Sequence, residues 1–191
     1  MEKSERVRSW HVPLSHGDAT LGETYAEIRQ FGIKAEDLPF LVRLIENPEY
    51  DLPGFDLFHG ATDLKTHDQI HIVLGRGLLA KDEAFVIGFT MGSTDRVSAS
   101  EERLFGLLAR YLYPRQYRFD AEDLRVFRDA VRLGFVSDCR PLHEVRYDDY
   151  ADLPLREVRK ALGIEEDLLR AYYAIERRRC PQSFESQRLL D

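Results

Sequence analysis

The sequence predicts an all-α fold, a single-domain multi-helix bundle. Three observations predict it. Apolar residues recur at helical spacing along much of the chain, as in Leu38, Leu41, Val42 and Ile45. The periodic stretches end at residues that stop helices, such as Gly32, Asn47 with Pro48, and Pro114. Little of the chain reads as strand.

Taken in order, residues 1–19 read as an irregular N-terminal segment, with His11 and His16 in solvent. Residues 20–180 form the all-α domain. Its first helix runs over residues 21–31 and stops at Gly32. A second covers 35–46, with Pro39 tolerated in its first turn. A loop follows over 47–61; its Phe55, Leu57 and Phe58 suggest packing rather than full solvation, and His59 reads as a surface histidine. The next helix spans 63–74, capped by Thr62 or Asp63. Residues 81–91 are apolar enough for a buried strand, but Ala84, Gly88 and Gly92 make a small-residue stripe at helical spacing. Helix is therefore preferred, with close helix packing as the first explanation of the stripe and room for a ligand as the second. Ser98 and Glu101 form a capping-box pattern that opens a helix to Leu112. Asp120 caps a helix carrying Leu124, Phe127, Val131 and Gly134. Residues 135–152 read as loop. A short helix over 155–162 ends at Gly163, and a last one over 165–179 stops before Pro181. Leu168, Leu169, Tyr172 and Ile175 are its expected apolar face. Arg177, Arg178 and Arg179 suit its C-terminal dipole. Residues 181–191 are left as a C-terminal tail.

Composition narrows the classes of function. The 191 residues are 43% hydrophobic and 32% charged, as expected of a folded domain with a real core. A net charge of -7 argues against a general nucleic-acid binder. Two cysteines, Cys139 and Cys180, offer no thiolate metal site and fit a reducing compartment. The opening stretch lacks the apolar core of a signal peptide, and its acidic residues argue against a transit peptide. The longest uncharged apolar run, residues 84–94, falls short of the ~20 residues needed to span a bilayer.

The stretch that carries chemistry is HDQIHIVLGRGLLAKDEAFVIGFTM, residues 67–91. On a helix His71 projects about 40° round from His67, and Asp68 about 100°. Leu64, Ile70 and Leu74 lie on or beside the same stripe, so it faces the core. Inward-pointing imidazoles and a carboxylate are costly unless satisfied, and a divalent metal satisfies them. Gly75 and Gly77 let the chain turn, so Glu83 becomes the fourth expected ligand beside His67, Asp68 and His71. This places a metal site at a helix-turn-helix. Two histidines with carboxylates suit zinc, or Fe(II) or Mn(II) with open positions.

His67, Asp68, His71 and Glu83 form the pattern HDxxH, eleven residues, then E. This resembles the signature of the coenzyme Q biosynthesis protein 4 family. Leu74-Gly75 and the stretch LREVRKALGI at residues 155–164 extend the likeness, which covers about residues 35–180. The segment AFVIGFTMGSTDR after Glu83 departs from the family pattern, as a divergent bacterial-type member would. The resemblance implies an all-α, membrane-associated protein that binds a divalent metal, with zinc expected and Fe(II), Mn(II) or Mg(II) as alternatives. It implies a prenylated quinone precursor or other isoprenoid lipid as ligand, and other ubiquinone-biosynthesis proteins as partners. It also implies a role in replacing the ring carboxylate of a polyprenyl-hydroxybenzoate by a hydroxyl. The expected setting is cytoplasmic, peripheral on the inner membrane, with a homodimer left open.

On this reading Phe85, Phe89 and Met91 line the lipid pocket, and Arg76 and Arg96 pair with a ring carboxylate or a phosphate. Zinc has no redox chemistry, so an oxidative step needs a further oxidant or a redox metal. One alternative is a non-catalytic lipid-binding scaffold with a structural metal. Another is a metal-dependent phosphohydrolase of the HD class, which would recruit His143 and the acids of DDYAD. The plainest alternative is a metal-free cluster of core polar groups.

Overall fold

The computed structural model describes residues 9–30, 64–94 and 119–190. The expected helices over 35–46 and 98–112, the 47–61 loop with His59, the caps Thr62 and Asp63, and Arg96 all lie outside the described residues.

Among the described residues the fold is helical, with seven α-helices and two 3-10 turns. These helices are α1 (Leu21–Gln30), α2 (Leu64–Leu74), α3 (Ala80–Gly92), α4 (Ala121–Val136), α5 (Leu155–Leu162), α6 (Glu166–Arg179) and α7 (Phe184–Gln187). The expected 135–152 loop carries the 3-10 turns, Leu142–Glu144 and Tyr147–Tyr150.

Local chemistry sets the helix starts. Thr20 opens α1: its hydroxyl accepts from the Glu23 N–H at 3.2 Å, and Glu23 accepts in return from the Thr20 N–H at 3.3 Å. Asp120 opens α4 by accepting from the N–H groups of Glu122 and Asp123, at 2.6 and 2.9 Å.

The tightest packing joins α3 to α4. A Cβ at Gly88, Gly92 or Gly134 would collide with the carbonyl of Phe127, Val131 or Phe89 respectively. The small-residue stripe therefore serves backbone-to-backbone packing and leaves no room there for a ligand. Lys81 reinforces this pair from within: it is 3% exposed, and its ammonium lies 3.0 Å from Asp123 and 3.3 Å from Glu122.

Three sequence expectations are corrected by the core. The 9–19 segment is not merely irregular: Trp10, Val12 and Leu14 are buried. Residues 181–190 are not a loose tail, for they form α7 and bury Ser186, Arg188 and Leu189. On α6 the buried face is Leu169, Tyr172, Tyr173 and Glu176, so Leu168 and Ile175 are only partly covered. Among the described residues, no helix is long and apolar enough to cross a membrane.

Candidate metal centre

Helix α2 carries His67 and His71 one turn apart, and its C-terminal end is buried and anchored. Helix ends leave carbonyls without intrahelical partners. Here Arg159 Nε donates to the Val73 carbonyl at 2.9 Å, and the Tyr173 hydroxyl to the Leu74 carbonyl at 2.5 Å. Gly75 then adopts φ +72°, a left-handed conformation that favours glycine, and the Arg76 N–H closes back on the His71 carbonyl at 2.9 Å. The reversal brings the first turn of α3, with Asp82 and Glu83, against the histidines.

Three side chains converge. His67 Nε2 lies 3.0 Å from Glu83 Oε2, His71 Nε2 lies 3.3 Å from Glu83 Oε1, and the two Nε2 atoms are 3.0 Å apart. His71 is fully buried, His67 is 9% exposed, and the Glu83 side chain is 12% exposed. His71 Nδ1 lies 2.6 Å from the Gly77 carbonyl. A carbonyl only accepts, so Nδ1 carries the proton and Nε2 is free to present its lone pair to the centre.

The residues present fit a metal ion. Tetrahedral zinc with bonds of 2.0–2.1 Å sets its donors roughly 3.3 Å apart. Two facing Nε2 lone pairs repel unless a proton or a cation lies between them, and a single cation satisfies both nitrogens and the carboxylate together. Electrostatics couple the three groups closely. Burial would raise the Glu83 carboxyl, but His71 and then His67 hold it well below the usual carboxylate range. Burial would lower His71, yet Glu83 outweighs it and Asp68 adds to the effect, so the imidazole is pushed up.

The four expected ligands divide three to one. Donor atoms of His67, His71 and Glu83 all lie within 4.8 Å of one another, a group that could hold a metal ion, and Asp68 is not among them. Asp68 is partly exposed and acts on His71 as a nearby charge. Its position about 100° round from His67 turns it off the shared face.

Of the substrate residues expected beside the metal, Arg76, Phe85, Phe89 and Met91 lie within the described residues. Arg76 is fully buried and bidentate with Glu176, at 3.0 and 2.6 Å. Its guanidinium also sits 3.9 Å above the Phe85 ring and 4.3 Å from the Tyr173 ring. It is thus committed to the core rather than turned to an external anion. Phe85, Phe89 and Met91 are at most 3% exposed, and Phe85 stacks on Phe89 and Tyr172. They belong to the buried interior of the described residues. His143 lies 3.6 Å from Glu144 and stands outside the convergent group.

Sequence reading missed Asp82, Arg188, Glu176 and Arg159, all buried and all paired. Asp82 sits beside Glu83 in the first turn of α3, which is its one local signal. The partners of Arg188 and Glu176 are 106 and 100 residues away in sequence, beyond any spacing rule. No family model, curated protein or solved structure matches this chain.

Proposed function

We propose that this protein binds a divalent transition metal, zinc in the first instance, through His67, His71 and Glu83. We further propose that it acts on, or presents, a prenylated quinone precursor in ubiquinone biosynthesis. The observation that carries the metal reading is the convergence of two Nε2 atoms and one carboxylate on a single point. The quinone reading rests on the resemblance of the HDxxH-x11-E pattern.

A bound metal supplies Lewis-acid polarisation of a ligand oxygen, or redox chemistry if the ion is Fe(II). The chain's own groups do the rest. His71 is held in one tautomer by the Gly77 carbonyl. Glu83 supplies the negative charge that offsets the ion. Burial of the cluster limits water on the protein side. Among the described residues three ligands converge, with Asp68 outside the group; three protein ligands with open positions are the pattern of a catalytic centre rather than a closed structural one. Isoprenoid binding, contact with other enzymes of the pathway and peripheral membrane contact belong to the same proposal.

Elemental analysis of purified wild type and of His71→Ala tests the metal. About one zinc or iron per chain, lost in the variant, is the expected result. Equal metal content in both removes the ligand assignment. Native mass spectrometry for retained prenyl lipid, with co-sedimentation on liposomes at low salt, tests the quinone reading. Metal-loaded protein that carries no lipid and ignores liposomes keeps the metal and withdraws the isoprenoid.

A further inference from the structure

We propose that Arg188 is a positioning residue for the metal centre, holding both the turn that carries Glu83 and the carbonyl that orients His71. The inference rests on the metal-binding reading and extends it to a residue far away in sequence.

Arg188 is 5% exposed, and its Nη2 lies 2.5 Å from Asp82 Oδ2. The same Oδ2 accepts the Leu79 N–H at 3.2 Å. One carboxylate therefore caps the start of α3 and receives the guanidinium, immediately before the ligand Glu83. The guanidinium also lies against Gly77, where a Cβ would collide with Arg188 Nη2. Gly77 bears the carbonyl that takes the His71 Nδ1 proton. Arg188 thus touches the supports of two of the three ligands.

Its own segment is anchored. The His11 ring donates through Nε2 to the Arg188 carbonyl at 3.1 Å. Ser186 Oγ donates to Glu176 Oε1 at 2.9 Å. Without Arg188, the fully buried Asp82 keeps the Leu79 N–H and the more distant Arg76, 4.0 Å away, but loses its direct ion pair. The first turn of α3 then loses its direct ion pair with the segment that follows α7. Partners behind the ligands characteristically tune metal affinity by about 10- to 100-fold.

The test uses the full chain loaded with Co(II), whose visible bands report coordination geometry, and Zn(II) competed against a chromophoric chelator. Wild type, Arg188→Ala and Arg188→Lys are compared at a temperature where each keeps wild-type helicity by circular dichroism. Arg188→Ala is expected to lose about 10- to 100-fold in affinity and to shift the Co(II) bands, because its three ligands remain but their spacing does not. Arg188→Lys is expected to recover part of that affinity, since an ammonium can still pair with Asp82 but cannot also cover Gly77. A purely structural Arg188 would lower the melting temperature and leave bands and affinity unchanged, which overturns the proposal. Should Arg188→Ala fail to fold, Arg188→Lys decides: wild-type bands and affinity overturn the proposal, and altered ones support it. Wild type that binds neither ion overturns this inference together with the metal reading, whereas metal binding indifferent to Arg188 overturns this inference alone.

Discussion

Glu176 is the buried counter-charge of Arg76. It accepts both guanidinium nitrogens of Arg76 and the Ser186 hydroxyl, with 1% of its surface exposed. Removing one partner of a buried ion pair leaves an uncompensated charge, at a cost of about 3–5 kcal/mol. Glu176→Ala is expected to lose that much by urea denaturation, and the double variant Arg76→Met, Glu176→Leu to recover most of it. A single variant within about 0.5 kcal/mol of wild type would show that the pair carries no such weight. Cys139 makes a second case at this scale. Burial, reinforced by the Glu165 carboxylate, pushes its thiol up to about 12, so almost no thiolate exists at pH 8. Native protein should therefore leave Cys139 unmodified by iodoacetamide at pH 8, with labelling appearing only on denaturation. Rapid labelling of the folded protein, mapped by peptide mass spectrometry, would contradict the buried environment described for it.

Between helices, two glycines reverse the usual sign of a glycine substitution. In an exposed helix, replacing Gly by Ala gains about 1 kcal/mol of helix propensity. At Gly88 and Gly134 the added methyl would meet the carbonyls of Phe127 and Phe89. Overpacking of this kind costs about 1–3 kcal/mol, more where the obstacle is backbone. Gly88→Ala and Gly134→Ala are therefore expected to be net destabilising in thermal melts, although both improve propensity. A raised melting temperature in either would mean that α3 and α4 do not approach so closely. The same pair of helices shows what sequence can and cannot disclose. Helix spacing, the Asp120 cap, the stops at Gly163 and Pro181, and the small-residue stripe are local, and each is readable within one or two turns. The metal candidates His67, His71 and Glu83 share that property, since they lie on one hairpin of helices within seventeen residues. Spacing alone does not separate Asp68 from His67, His71 and Glu83, because it does not say what stands opposite a residue on a helix. Arg76 is harder to read, because a charge flanking an apolar run looks alike whether its partner is a ligand or Glu176. Arg188 could not be placed at all, for its partner is settled only when the last segment packs.

The candidate centre draws on most of the described fold. Two ligands come from α2 and one from α3, Arg159 of α5 and Tyr173 of α6 hold the end of α2, and Arg188 follows α7. An ion bound there is linked to the folding of the whole unit, because the unfolded chain does not bring these groups together. A ligand that binds only the folded state stabilises it by about 2.7 kcal/mol at a free concentration a hundred times its Kd. For a chain of this size each kcal/mol shifts the melting temperature by about 2–4 °C. Zinc-saturated protein is therefore expected to melt about 5–10 °C above the same protein stripped by a chelator, on the combined scale of these two relations. The increment should disappear in His71→Ala, whose own melt should be indifferent to chelator. In Glu176→Ala it should persist on a lowered baseline, because that variant weakens the core and leaves the three ligands in place. Differential scanning calorimetry of these three proteins, with and without zinc, separates the two effects. Equal increments in wild type and His71→Ala would place the stabilising ion somewhere other than the His67, His71 and Glu83 group. No increment in wild type would leave those three side chains to satisfy one another by hydrogen bonds alone.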